Sequence, residues 1–278
     1  MDEGSIAIVP GANPKIRNGD VQYPFRQDSD FRYLTGFDEP NAVFVLIPGR
    51  QHGETLLFCR ERDNEYERWH GHITGPERAM QLFGMDDAFP VSDIDDILPG
   101  LIEGRSKLYY AMGVDRDFDN QVIDWVKKIS QSDHLGAESP GEFVQLDHYL
   151  HELRLFKSAA EIALMKLAAD ATVKGHCRIM QKTQPGMMEY ELEAELIHEF
   201  SINGARYCAY PAIVGGGTNA CVLHYVSNNE VLADGDLVLV DAGGEYEGYA
   251  CDLTRTFPVN GRFSESQARV YEVVLRAQ

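Results

Sequence analysis

Short apolar runs alternate with amphipathic stretches along the first half of the chain, and six segments have a clear period. Strands are predicted at Ser5 to Val9, Ala42 to Ile47, Thr55 to Cys59 and Lys107 to Met112, and helices at Gly75 to Phe83 and Asn120 to Ile129. Strands that alternate with helices favour a sheet covered by helices. The pattern predicts an α/β N-terminal domain, a mixed sheet with flanking helices, over residues 1–152, with a loop at Ser132 to Gly141.

The second half, residues 153–278, has a different pattern. A capping box at Ser158-Ala-Ala-Glu161 opens a long helical stretch that ends before Pro185-Gly186, and a second helix follows at about Met188 to Ile202. Strands are then predicted around Arg206 to Val214 and Ala220 to Tyr225. The last residues, 264–278, again have the period of a helix.

Two aspartates lie in a glycine-punctuated hairpin between these strands and the last helix. The apolar run Leu237 to Val240 precedes Asp241, and Asp252 lies within a second predicted strand, Tyr249 to Phe257. If the chain reverses at residues 246–247, Asp241 lies directly across from Asp252, where like charges are destabilising. A divalent cation between them would relieve the repulsion. Spacing alone leaves this metal site and a pair of solvated or capping carboxylates equally open.

Composition narrows the class of protein. The 278 residues carry 25 basic and 44 acidic side chains, a net charge of −19, which disfavours nucleic acid as a partner. No apolar run approaches the length of a membrane span, and the N-terminus lacks the basic start of a signal peptide. Five cysteines without a Cys-x-x-Cys spacing are typical of reduced thiols. We therefore expect a cytoplasmic protein that is not associated with a membrane.

The residues around the aspartates closely resemble the first metal-ligand segment of the pita-bread metallopeptidases, which include aminopeptidase P, prolidase and methionine aminopeptidase. Leu223-His224-Tyr225 looks like the substrate-contacting histidine segment of that family. Three further segments are similar to bacterial aminopeptidase P: Tyr23 to Pro40, His151 to Ser158 and Pro185 to Leu192. The five segments occur in the family's order over nearly the whole chain.

This resemblance implies an α+β pita-bread domain over residues 153–278, of which only the first half is present. It also implies that Asp241 chelates one metal ion, that Asp252 bridges two, and that His224 is catalytic and binds the substrate carbonyl. The family's second half supplies a histidine and two glutamates that complete a dinuclear site, usually for Mn²⁺. Trp69 resembles the tryptophan that reaches a neighbouring subunit's active site, so a homo-oligomer is expected. The chain alone is expected to be inactive.

The resemblance predicts a metal-dependent exopeptidase that releases the N-terminal residue from peptides with proline in second position. Prolidase, which cleaves Xaa-Pro dipeptides, is the alternative within the same class. A non-catalytic pita-bread module used for binding or assembly is the alternative from another class. Methionine aminopeptidase is disfavoured by the long leading domain, and creatinase-like relatives are disfavoured because they need no metal.

Overall fold

A computed structural model describes residues 1–131 and 138–278, and these form two compact units, Met1–Phe156 and Lys157–Gln278. The loop predicted at Ser132 to Gly141 falls partly on residues 132–137, which lie outside the described residues. The boundary predicted after residue 152 falls inside a helix, Asp147–Leu155.

The first unit contains eight strands and six α-helices in its described residues. The strands are β1 Ser5–Pro10, β2 Ile16–Asn18, β3 Val21–Gln22, β4 Val43–Leu46, β5 Thr55–Cys59, β6 Asp87–Pro90, β7 Lys107–Tyr110 and β8 Glu142–Gln145. The helices are α1 Ser29–Thr35, α2 Asn64–His70, α3 Pro76–Phe83, α4 Ile94–Ile102, α5 Arg116–Ser130 and α6 Asp147–Leu155, with a 3₁₀ turn at Val91–Asp93.

Six of these strands form one mixed sheet in the order β6-β5-β4-β1-β7-β8. β1 pairs antiparallel with β4 and parallel with β7. Successive residues of β1 serve opposite faces because side chains alternate along a strand. Ile6 and Ile8 belong to a core with α4 and α5, and Ala7 and Val9 belong to a core with α1, α3 and α6. The four strands and two helices predicted in this half are confirmed within a few residues.

The second unit is built from three α-helices and six short strands. The helices are α7 Ala159–Lys182, α8 Glu189–Ile202 and α9 Glu265–Ala277. The strands are β9 Tyr207–Cys208, β10 Ile213–Gly216, β11 Leu237–Asp241, β12 Gly244–Tyr246, β13 Tyr249–Ala250 and β14 Thr254–Pro258. They form two antiparallel sheets, β10-β11-β14 and β13-β12-β9.

Close contact between α7 and α8 sets the frame of this unit. The predicted capping box is present, since Ser158 Oγ accepts from the Glu161 amide and Glu161 accepts from the Ser158 amide. Further along α7, a Cβ added to Gly175 would lie 2.5 Å from Phe200 Cε1 on α8. The helices therefore approach closely at Gly175, and their apolar faces share one core with β10 and β11.

Two predicted strands of the second half differ from the structure. The strand predicted at Ala220 to Tyr225 is wrong: a 3₁₀ helix, Gly217–Cys221, and a turn occupy that segment. Asn219 and Tyr225 donate hydrogen bonds to Glu189 of α8, so this segment does not pair as a strand. The strand predicted at Arg206 to Val214 is split into β9 and β10 around Pro211, which has no amide proton to donate to a ladder. Among the described residues, no helix has the length and apolar character needed to cross a membrane.

Candidate metal centre

Asp241 and Asp252 both lie where the chain crosses between the two small sheets. Asp241 ends β11, before the chain enters β12 in the other sheet. Asp252 follows β13, before the chain returns to the first sheet as β14. Both aspartates therefore lie at the junction of the two sheets, one on the outgoing arm of the hairpin and one on the returning arm.

The register of the hairpin differs from the one predicted. Tyr246 pairs with Tyr249, and Asp241 pairs with Thr254, so Asp241 does not lie directly across from Asp252. The chain reverses at Glu247 and Gly248, whose φ angles are +49° and +79°. Two positive φ angles are typical of the type I′ turn, whose twist matches that of a hairpin. The prediction of a reversal at residues 246–247 was therefore wrong by one residue.

The phenol of Tyr210 nevertheless joins the two aspartates. Its hydroxyl donates to Asp241 Oδ1 at 2.5 Å and lies 3.1 Å from Asp252 Oδ1. Burial, the hydrogen bond to Asp241 and the nearby negative charges all raise the pKa of Tyr210, so the phenol keeps its proton. The amide of Ala209 donates to the Gly243 carbonyl at 2.8 Å, which holds the tyrosine segment beside the hairpin. Two carboxylates thus converge on one donor.

A glycine allows the two arms of the hairpin to approach at this point. A Cβ added to Gly243 would lie 1.6 Å from the carbonyl oxygen of Cys251, a distance that no side chain can occupy. The arms are also joined by a hydrogen bond from the Ala242 amide to the Leu253 carbonyl at 3.1 Å. The absence of a side chain at Gly243 is therefore what permits Asp252 to lie beside Asp241.

Side chains of helix α7 also hold the backbone between β11 and β12 in place by hydrogen bonds. His176 Nε2 lies 3.0 Å from the Ala242 carbonyl, and Thr172 Oγ1 accepts from the Gly244 amide at 2.9 Å. Both side chains are buried, and they lie four residues apart on one face of the helix. A carbonyl only accepts, so Nε2 of His176 carries the proton. Burial lowers the pKa of His176 and favours the neutral ring.

His224 and Trp69, the other two predicted site residues, lie elsewhere. His224 is exposed in the turn after the 3₁₀ helix Gly217–Cys221, and no hydrogen bond between described residues joins it to either aspartate. Trp69 lies on α2 in the first unit, with 81% of its side chain exposed. The structure thus brings together Asp241 and Asp252 but not these two residues.

The donor set around the aspartates suits a hard divalent cation but is short of ligands. Carboxylate and other oxygen donors are the typical ligands of Mg²⁺, Ca²⁺ and Mn²⁺. Within residues 1–131 and 138–278, no group of three or more histidine, cysteine, aspartate or glutamate side chains could hold a metal ion. Asp241 and Asp252 therefore fit two positions of a metal site and leave the other positions to be filled.

Sequence reasoning missed three side chains of this centre. Tyr210 lies between two short strands with no periodic or motif signal of its own. Thr172 and His176 lie within the long helical pattern, where a buried polar residue at four-residue spacing is a weak hint that the face contacts backbone. The hydrogen bonds that join these residues to the hairpin span 31 to 72 positions along the chain, so local patterns do not contain them.

Comparisons with known proteins match both units. Residues 1–110 match the aminopeptidase P N-terminal domain, and residues 163–278 match metallopeptidase family M24. The second unit is therefore similar to metallopeptidase family M24, and most of the first unit is similar to the N-terminal domain of aminopeptidase P. Among curated proteins, it is 44% identical over 278 residues to the Xaa-Pro aminopeptidase of Escherichia coli strain K12 and 43% identical over 281 residues to that of Haemophilus influenzae.

Solved structures agree. Aminopeptidase PepP of Pseudomonas aeruginosa is 55% identical, with a TM-score of 0.98, and a variant of E. coli aminopeptidase P in complex with substrate is 44% identical, with a TM-score of 0.97. The match covers 99–100% of this chain and 63% of each of those chains. The chain also spans 62–63% of the length of the two curated relatives. The predicted resemblance and the predicted fold, an α/β domain followed by part of a pita-bread domain, are confirmed.

Proposed function

We propose that the protein containing this chain is a metal-dependent exopeptidase that releases the N-terminal residue from peptides with proline in second position. The observation that carries the proposal is the convergence of Asp241 and Asp252 on the Tyr210 hydroxyl, within a region that matches a metallopeptidase family. The name of several relatives, Xaa-Pro aminopeptidase, supports the substrate class.

In this proposal Asp241 and Asp252 are the residues of this chain that would hold the metal ions, Asp241 as a ligand of one ion and Asp252 as a ligand shared by two. Manganese is the expected metal because carboxylate oxygens suit hard divalent ions. When bound, the metal pair supplies a water of lowered pKa and polarises the scissile carbonyl. Two carboxylates do not complete such a site, and we propose that the remaining ligands come from outside these 278 residues. The chain alone is then expected to be inactive.

The chain's own residues orient the reactants. Tyr210 donates to Asp241 and keeps that carboxylate in one position without competing for its charge, since the phenol stays protonated. His224 is proposed to donate a hydrogen bond to the substrate carbonyl, where negative charge develops during attack. Its exposed place in a turn supports this role, because a peptide in solvent can reach it.

Two further expectations belong to the same proposal. Trp69 presents a large, exposed aromatic surface on α2, which supports a homo-oligomer in which it contacts substrate in a neighbouring subunit.

All five cysteines are free thiols, which supports a reducing, cytoplasmic location.

The test compares the 278-residue chain with the longer protein that contains it. We expect the longer protein to bind two Mn²⁺ ions by calorimetry and to cleave a tripeptide with proline in second position. Asp252→Asn should abolish both, whereas Asp170→Asn, at an exposed carboxylate on α7, should leave both unchanged. The 278-residue chain should show neither tight binding nor turnover.

Each contrary result has a distinct meaning. Turnover of Xaa-Pro dipeptides alone would identify a prolidase. A longer wild-type protein without metal binding or turnover would favour a non-catalytic module. Tight binding of two ions by the 278-residue chain, lost in Asp241→Ala, would show that the ligand set is complete within it.

A further inference from the structure

Glu189 is a buried carboxylate in the second unit that the proposed chemistry does not use. It is the first residue of α8, and none of its side chain is exposed to solvent. Acidic residues at a helix N-terminus usually lie in water, where they complement the helix dipole. A charged group without solvent needs several hydrogen-bond donors to replace the lost hydration. The position of Glu189 therefore calls for a specific set of partners.

Four hydrogen-bond donors surround the Glu189 carboxylate. All four belong to one segment, which begins at the last residue of β10 and ends before β11. Oε1 accepts from the Gly216 amide at 2.8 Å and from Asn219 Nδ2 at 3.1 Å. Oε2 accepts from the Tyr225 hydroxyl at 2.7 Å and from the Glu230 amide at 3.0 Å. One carboxylate thus binds the beginning, the middle and the end of a single segment, residues 216–230.

The carboxylate remains charged in this environment. Burial raises the pKa of Glu189, but the hydrogen bonds from Gly216, Tyr225, Glu230 and Asn219 outweigh burial, and the net pKa is lowered. Hydrogen bonds to an ionised acceptor are stronger than those between neutral groups. The segment is therefore fastened by four charge-assisted bonds at one point.

Asn228 provides a second anchor for the same segment. Its side chain is buried, accepts from the Val214 amide at 2.9 Å and donates to the Ala212 carbonyl at 2.9 Å. Between the two anchors the chain turns outward, where Leu223 is 89% exposed and His224 is also exposed. The segment has a fixed base and presents His224, the residue next to Tyr225, at its tip.

We propose that Glu189 is a positioning residue that holds the segment 216–230 so that His224 is presented to the substrate. The inference rests on the proposed function for the role of His224, but the anchoring itself does not. Glu189 acts through Tyr225, its direct partner beside His224, and through the two backbone amides at the ends of the segment. It touches neither Asp241 nor Asp252 by any hydrogen bond among the described residues.

The first experiment measures the anchoring on the 278-residue chain. In Glu189→Gln, one carboxylate oxygen becomes an NH₂ group that cannot accept, and the other becomes an uncharged amide oxygen. Either the Gly216 amide and Asn219 or Tyr225 and the Glu230 amide therefore lose their acceptor, and the other pair keeps a weaker one. We expect amide hydrogen exchange to accelerate by about ten-fold or more at whichever of Gly216 and Glu230 faces the NH₂ group, with exchange at Val240 in β11 unchanged. Glu191→Gln is the matched control, because Glu191 lies on the same helix and its side chain accepts from the Met188 amide rather than from the segment.

The second experiment tests positioning on the longer protein. Glu189→Gln should lower kcat by about ten-fold or more, with KM and bound manganese nearly unchanged, as expected when an interaction made in the transition state is weakened. If Glu189 acts through His224, the effect should largely disappear in a His224→Ala background, because residues that act as a unit are not additive. A purely structural role would give additive losses.

The outcomes separate the two proposals. Unchanged exchange at Gly216 and Glu230 in Glu189→Gln overturns the anchoring. Faster exchange with unchanged kcat, or additive losses in the double variant, overturns the positioning role. An inactive wild-type longer protein overturns the proposed function and the catalytic role of Glu189 together, while the exchange data still decide the anchoring.

Discussion

At the scale of single residues, the Tyr210 hydroxyl is the group that links Asp241 to Asp252. Tyr210→Phe removes the donor and leaves the two carboxylates without it. A hydrogen bond to a charged acceptor contributes about 1.5–3 kcal/mol, so the free energy of unfolding should fall by that amount. Urea denaturation followed by circular dichroism measures the change. Tyr207→Phe, at an exposed tyrosine on β9, is the control and should shift stability by less than about 0.5 kcal/mol.

A substitution at Gly243 is expected to lower the free energy of unfolding substantially. Gly243→Ala would place a methyl group 1.6 Å from the Cys251 carbonyl, so the arm that carries Asp252 has to move. Forced overpacking of this kind typically costs about 1–3 kcal/mol and occasionally more, and we expect the upper end here. The same denaturation experiment measures it. Gly100→Ala is the control, since its Cβ would meet no atom within 4 Å and it lies in helix α4. Equal stability of both variants would contradict the close approach.

The approach of Asp241 to Asp252 could be predicted from the sequence, whereas the side chains that contact them could not. Apolar residues before Asp241 and glycines after it are local signals, and they correctly indicate a hairpin that brings Asp241 and Asp252 near each other. The turn is one residue away from the predicted place because Glu247 accepts a positive φ, which is unusual for a residue other than glycine or asparagine. Tyr210 enters the site only through tertiary folding, 31 residues before Asp241.

At the scale of elements, the close contact between α7 and α8 sets two effects of the substitution Gly175→Ala against each other. Alanine is a better helix former than glycine by about 1 kcal/mol, so Gly175→Ala would stabilise an isolated helix. Here the new methyl group would lie 2.5 Å from the Phe200 ring, and overpacking costs about 1–3 kcal/mol. We therefore expect net destabilisation.

Thermal unfolding of three variants tests this. Gly175→Ala should lower Tm, and Phe200→Leu should lower it as well because Phe200 is fully buried. In the double variant the smaller leucine side chain at position 200 leaves room for the methyl group, so the combined loss should be less than the sum of the two. Strict additivity would mean that the helices separate to accommodate the methyl group.

The elements that sequence patterns predicted well are those whose own residues determine them. Buried strands such as β4 and β5 are continuous apolar runs, and α7 has its own capping box, so each is specified locally. The segment Ala220 to Tyr225 is different. Its apolar and aromatic residues favour a strand, but Asn219 and Tyr225 bind Glu189 and turn the chain into a 3₁₀ helix and an exposed turn. Tertiary contacts override local preference there.

At the scale of the whole molecule, several carboxylates have a folded-state pKa below the ordinary value. They are Asp2, Glu67, Asp86, Glu161, Glu189 and Glu195, and Glu67 is lowered to about 2. In each case the unfolded chain binds more protons than the folded chain when the pH is near or below the ordinary value, 4.5 for glutamate. Their stabilisation is complete above that pH and is lost as the pH falls through the folded-state pKa.

Electrostatic repulsion within a chain of net charge −19 has the opposite effect on stability at low pH. Acid reduces the excess of negative charge, so it relieves this repulsion and stabilises the folded chain. That effect is long-range and screened by salt, whereas the hydrogen bonds that lower these pKa values are short. In about 0.15 M salt the urea midpoint of the wild-type chain should therefore decrease as the pH is lowered from about 5 to about 3.

The variant Glu189→Gln should be less stable than wild type at pH 7. The difference in stability should narrow as the pH is lowered over this range, because protonated Glu189 also lacks its charge. A wild-type midpoint that rises below pH 5 would show that relief of repulsion dominates, and a constant difference between the two proteins would show that Glu189 is not ionised in the folded state.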